Sequence, residues 1–185
     1  MGPARRGQSR RAGAGKALTG AIGRRGLAWA VRLLLASLLL AAPAAAAPSL
    51  VRASGQWAAL REGPVCEAAT LGLREATTER PRARASVAFD ARRHGELAIH
   101  LPRAQGPGSA PMLVIGDQRF LLAGAGEWAW SRGAAQEMAI ITALRTGGGM
   151  RIEARSAGGG RMVERFASDG APTAIDAAAA CAAAI

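Results

Sequence analysis

Across 185 residues the chain has only two histidines and two cysteines, and after residue 46 it has no lysine at all. His94 and His100 show no His-x-x-x-His or cysteine-rich spacing, so no metal site is expected. Cys66 and Cys181 form no Cys-x-x-Cys pair, which leaves a thioredoxin-like redox role without local support. None of the serines sits in a Gly-x-Ser-x-Gly elbow. The glycine-rich stretches Gly124-Ala-Gly126 and Gly147-Gly-Gly149 lack the Gly-Lys-Ser/Thr ending of a phosphate loop and read as turns. The carboxylates are scattered, with no pair marked out as general acid and base. Catalysis and cofactor binding therefore find no support in the residues, and no cofactor is expected.

A long apolar run is also missing. Leu33 to Ala42 gives about ten apolar residues, well short of the roughly 20 that span a bilayer, so no stable membrane span is expected. Eight basic residues precede that run, and Ala44 and Ala46 after it satisfy a small-x-small cleavage rule, so residues 1–46 read as a cleaved secretory signal peptide with cleavage near Ala46. An uncleaved anchoring segment is the rival reading, because the basic region is long and the apolar stretch can be counted from Leu27. Ser9-Arg10-Arg11 hints at twin-arginine export, but small residues follow it where bulky apolar ones are usual. No cysteine stands at the cleavage site to carry a lipid.

Removing this segment changes the charge. The chain has 24 basic and 13 acidic residues, and eight of the bases and none of the acids precede residue 47, leaving 16 against 13, or +3. The high overall charge is thus mostly a targeting property, and a nucleic-acid partner is not expected. The remaining bases are all arginine and alanine is abundant, a pattern of GC-rich codon usage that lowers the weight of any single arginine.

Residues 47–185 suffice for one domain with a single core. From Arg52 onward they read as short strands divided by Gly, Pro and Asp. Trp57–Leu60 and Cys66–Leu73 flank the turn at Gly63-Pro64. Arg82–Phe89 alternates, with Ala83, Ala85, Val87 and Phe89 on one face, and Glu96–Leu101 sends Leu97, Ile99 and Leu101 inward. Met112–Ile115, Gly116-Asp117 and Gln118–Leu122 form the clearest hairpin. A later hairpin joins Gly149–Arg155 to Arg161–Ala167. Ala134–Arg145 reads as a helix with Met138, Ile141 and Leu144 on its apolar side, Ile140 beside them, and a stop at Gly147. A second helix runs from Pro172 to the terminus, with Ala174, Ala178, Cys181 and Ile185 on one face. The expected fold is mainly β: an antiparallel β-sandwich or partly open barrel with two covering helices.

In an oxidising compartment Cys66 and Cys181 can close one bridge across 115 positions, for about 4–5 kcal/mol by loop entropy. Two buried reduced thiols and intermolecular pairing are the alternatives. Two features suit binding. Trp128 and Trp130 share a face if Glu127–Ser131 is a strand, either as a wall of the core, which is the expectation, or as an exposed platform. Arg80, Arg82 and Arg84, continued by Arg92 and Arg93, line either a solvated face, the favoured reading, or an anion-binding strip.

The order of signals toward the C-terminus is more specific. Ile141-Thr-Ala-Leu-Arg-Thr-Gly147, Met150-Arg-Ile-Glu-Ala-Arg-Ser156, a glycine turn, Val163-Glu-Arg-Phe-Ala-Ser-Asp-Gly170 and a last helix closing on Cys181 together resemble the invasion-associated locus B family of exported alphaproteobacterial proteins. Less specific likeness runs upstream through Trp128, Ile115-Gly-Asp-Gln-Arg-Phe120, Cys66 and Gly55-Gln-Trp57. Leu144, Gly159, Val163-Glu-Arg-Phe166 and Ala171 depart from the family pattern, mostly at polar surface positions. The resemblance implies the scaffold and its disulfide, and a secreted or periplasmic protein linked in pathogenic members to host-cell entry.

The resulting expectation is an exported non-catalytic protein, periplasmic or secreted, that binds a cell-envelope or host-surface component, with arginine and tryptophan as contacts. The alternative is an envelope hydrolase acting on cell-wall or glycan material, which calls for His94 or His100 in one cleft with a carboxylate and a serine. A chaperone-like factor calls instead for a large exposed apolar groove.

Overall fold

Alternation of apolar and polar residues, the local cue for half-buried strands, resolves among the described residues into two antiparallel sheets and two helices. The computed structural model describes residues 47–185, and the signal peptide read over residues 1–46 lies outside the described residues. The elements are β1 (Ser49–Ser54), β2 (Trp57–Glu62), β3 (Val65–Leu71), β4 (Arg84–Phe89), β5 (His94–His100), β6 (Met112–Ile115), β7 (Gln118–Leu121), β8 (Ala123–Ala125), β9 (Trp128–Trp130), α1 (Ala134–Thr146), β10 (Met150–Arg155), β11 (Arg161–Phe166) and α2 (Ala171–Ala183). A seven-stranded sheet has the order β1-β2-β3-β4-β5-β9-β8, and a four-stranded sheet the order β11-β10-β6-β7. Neither closes into a barrel, so of the two expected architectures the sandwich-like one forms.

One apolar core joins the two layers. The large sheet contributes Val87, Leu97 and Ile99, the small sheet Leu113, Ile152 and Met162, and the helices Ile140, Leu144 and Ile175. Each fully buried side chain of this size contributes about 1.5–3 kcal/mol relative to exposure. The helix α2 packs on β1–β4, and α1 packs on β5, β6 and β7.

Cys66 and Cys181 are joined as a disulfide, with Cα atoms 6.0 Å apart, tying the middle of the large sheet to the last turns of α2. At the other end of α2 the chain is held just as tightly. The Trp57 indole Nε1–H donates to the Ala167 carbonyl at 2.8 Å, and the Gln56 amide donates to the Asp169 carbonyl. Gly170 then enters the helix at φ +85°, where a Cβ would lie 1.8 Å from the Ser54 carbonyl oxygen. Only glycine allows the β1–β2 turn and the helix start to meet this closely.

Several details differ from the sequence expectation. Two strands, β1 and β8, lie outside those the sequence predicts. β1 is exposed along most of its length and lacks a buried face, while β8, Ala-Gly-Ala, was read as part of a turn. Both are edge strands held by ladder pairing with one neighbour, which leaves no apolar signature. On α1 the buried side is Ile140, Ala143 and Leu144, and Met138 is 69 % exposed. Steps of three residues drift by about 60° each on a 3.6-residue helix, so Met138 and Leu144 cannot share a narrow stripe. Ile185 lies beyond the end of α2 and is exposed.

Candidate functional site

The outer face of the seven-stranded sheet, turned away from the core, carries the side chains that most resemble a binding surface. On β9 the central residue, Ala129, is fully buried, and its pairing with Ile99 puts it on the inner face. Parity then sends Trp128 and Trp130 outward together. They are 45 % and 38 % exposed, so the expectation that they wall the core is overturned. The deciding fact is which neighbour Ala129 meets, and periodicity within three residues does not reveal it.

Register fixes what lies beside them. A row of small residues crosses the sheet from Ala53 through Ala58, Ala69, Ser86 and Ala98 to Trp130, one per strand. Beside it a second row runs from Leu71 through Arg84 and His100 to Trp128. The His100 ring lies 4.7 Å from that of Trp128, centroid to centroid, at a tilt of 54°, and its Nε2 is 3.4 Å from the Glu127 carboxylate. The Gln105 side-chain amide donates to the Trp128 carbonyl at 2.8 Å, pinning the short strand beneath the rings.

Arg84 reaches diagonally across the small-residue row to form an ion pair with Glu67. The register places Ala69 and Ser86 between the two partners, which accounts for their being only 7 % and 5 % exposed although they face outward. The pair is itself partly solvated, with side chains 34 % and 20 % exposed. Such a pair is worth about 0–1 kcal/mol and opens at little cost. On the β1–β3 side of this strap lies a groove of about 460 Å³, floored by Ala58, Leu60, Ala69 and Leu71 and flanked by Arg82 and Arg84.

The arginines singled out in the sequence separate into different roles. Arg84 and Arg82 come to the outer face together with Trp128 and Trp130. Arg82 donates from Nε to the Gly72 carbonyl at 2.6 Å and lies 3.4 Å from the exposed Glu75. Arg80 stands apart, ion-paired with the almost fully buried Glu164 of β11 and fixing the β3–β4 connection to the small sheet. Arg93 is committed to the β4–β5 turn, where its Nε and Nη2 donate to Asp90 at 2.8 and 2.5 Å. The Arg92 and Arg93 amides also donate to Asp90. These bonds, the Arg93 side chain's first, pull the Asp90 carboxyl down to about 2. Across the molecule, hydrogen bonds from Arg151 and then Arg161 lower Glu153 in the same sense.

His100 has a carboxylate neighbour, but the pair lies on an open sheet face. The Ser131 hydroxyl is occupied elsewhere, accepting from the Leu97 amide and donating to Glu137 at the start of α1. Among the described residues, no three His, Cys, Asp or Glu side chains gather as a metal site, and no helix is long and apolar enough to cross a membrane.

Compared with protein-family models and with curated proteins, the chain matches none. Among solved structures it is similar to the crystal structure of invasion associated protein B from Bartonella henselae, with 17 % sequence identity and a TM-score of 0.54 over 72 % of this chain and 98 % of that one. The two share a fold and a distant structural relationship.

Proposed function

We propose that this chain is an exported, non-catalytic envelope protein that binds an envelope or host-surface component through the outer face of its seven-stranded sheet. The observation that carries the reading is the exposure of Trp128 and Trp130 side by side, next to His100 and Arg84. The indoles keep 45 % and 38 % of their surface in water, and covering that apolar area returns free energy that a partner can supply. The fold shared with an invasion associated protein favours the envelope, as does a disulfide, which persists only where thiols are not kept reduced. The hydrolase alternative has the His100–Glu127 pair in its favour, but neither residue lines the groove on this face, and the Ser131 hydroxyl is bonded to Leu97 and Glu137.

Fractionated cells carrying a photo-crosslinking residue at Leu71, beside the strap, test the proposal. The protein is expected in the periplasmic or secreted fraction, with crosslinks from position 71 and none from position 138 on the exposed side of α1. Recovery in the cytoplasm alone, or equal crosslinking from both positions, overturns it.

A further inference from the structure

We propose that the ligand of this face is an acidic polysaccharide, its sugar rings on Trp128 and Trp130 along β9 and an acidic substituent reaching Arg84, two strands away. The inference rests on the reading that the outer face is the binding surface, and it names the class of ligand.

Three observations favour this occupant. Trp128 and Trp130 stand two residues apart on one face, about 6.6 Å along the strand. They offer consecutive flat apolar surfaces of the kind that the C–H faces of sugar rings cover, while the ring hydroxyls stay at the rim in water. Second, β4, β5 and β9 are interior strands whose backbone groups are committed to ladders on both sides. A peptide crossing this face would desolvate its own amides against a surface with no backbone partners to offer, whereas a polysaccharide backbone carries no such obligation. Third, the groove that continues the small-residue row is flanked by two guanidiniums, Arg84 paired with the partly exposed Glu67 and Arg82 beside the exposed Glu75, so that both partners can give way to a ligand. A ligand carboxylate can take the place of Glu67 at Arg84, a bidentate exchange that also uncovers Ala69 and Ser86 as floor for the chain.

The test is calorimetric titration of the full oxidised chain with three probes: polygalacturonate, dextran and an oligothymidylate. Polygalacturonate is expected to bind tightest and to weaken with added salt. Trp128→Ala and Trp130→Ala should each weaken it about tenfold. Arg84→Gln should weaken polygalacturonate but leave dextran unchanged, and Met138→Ala should alter neither. Because the indoles are more than half covered, the tryptophan variants are expected to unfold somewhat below the parent chain, and the titrations are compared at a temperature where thermal unfolding shows all of them folded, which separates lost contact from lost fold. Absence of polysaccharide binding, equal affinity in parent and tryptophan variants, or tighter binding of the oligothymidylate overturns the proposal. If polysaccharide fails while the position-71 crosslink persists, the ligand class is wrong and the surface stands. If both fail, the surface itself is wrong.

Discussion

Asp90 shows how one carboxylate can couple a turn to pH. Its folded value, about 2, lies below the ordinary carboxylate value because the Arg93 guanidinium and two turn amides donate to the ionised form. The folded state therefore binds fewer protons than the unfolded one, and the stabilisation is complete above about pH 4 and fades as pH falls toward 2. Urea unfolding across pH 2–5 is expected to show the parent chain ahead of Asp90→Asn at pH 5, with the gap closing toward pH 2. A constant gap contradicts the assignment. Gly170 makes a sharper case, since a Cβ there meets the Ser54 carbonyl at a forbidden distance and the backbone sits at φ +85°. Gly170→Ala is expected to cost about 1–3 kcal/mol or more in denaturant unfolding, whereas alanine at the solvent-open Gly158 should be nearly silent. The place of Gly170 in the order of residues was visible in the sequence, but the approach of Ser54 that requires it was not, because the contact spans more than a hundred positions.

At the scale of elements, strands whose neighbours cover one face were legible and those shaped by several neighbours were not. The alternation of Leu97, Ile99 and Leu101 and the hairpin around Gly116-Asp117 carry their own signals, and both form. β4 was read as buried on one side only, yet Ser86 and Ala88 on its outer side are nearly as buried as Ala85 and Val87. The cover over Ser86 comes from a cross-strand ion pair that exists only in the folded register. The tryptophan pair follows the same logic, because a three-residue strand takes its orientation from the strands on either side. The last helix was legible for a different reason: its small residues recur at helical spacing and bring Cys181 over Cys66. Cys181→Ser should lower unfolding free energy by about 4–5 kcal/mol under oxidising conditions, less any strain relieved, and have no effect relative to the parent under strong reductant. A loss that persists under reductant would place the contribution in packing.

For the whole molecule, the division of faces matters more than any one residue. One side of the seven-stranded sheet joins the four-stranded sheet and both helices in a common core, closed by a single disulfide. The other side is left to solvent with two indoles, a histidine and a strapped arginine on it. A scaffold built this way can keep its core while its exposed face changes. That accords with a shared fold at 17 % identity to an invasion associated protein, although Leu144, Glu164, Phe166 and Ala171, expected from the sequence to mark changes at the surface, are buried. The account turns on whether that open face is covered where the protein works. Hydroxyl-radical footprinting, comparing protein in intact cell envelopes with the same protein purified, measures this directly. The account predicts that oxidation of Trp128 and Trp130 falls in the envelope while oxidation of Met138, the more exposed side chain on α1, does not change. Equal oxidation of the two tryptophans in both preparations would contradict it.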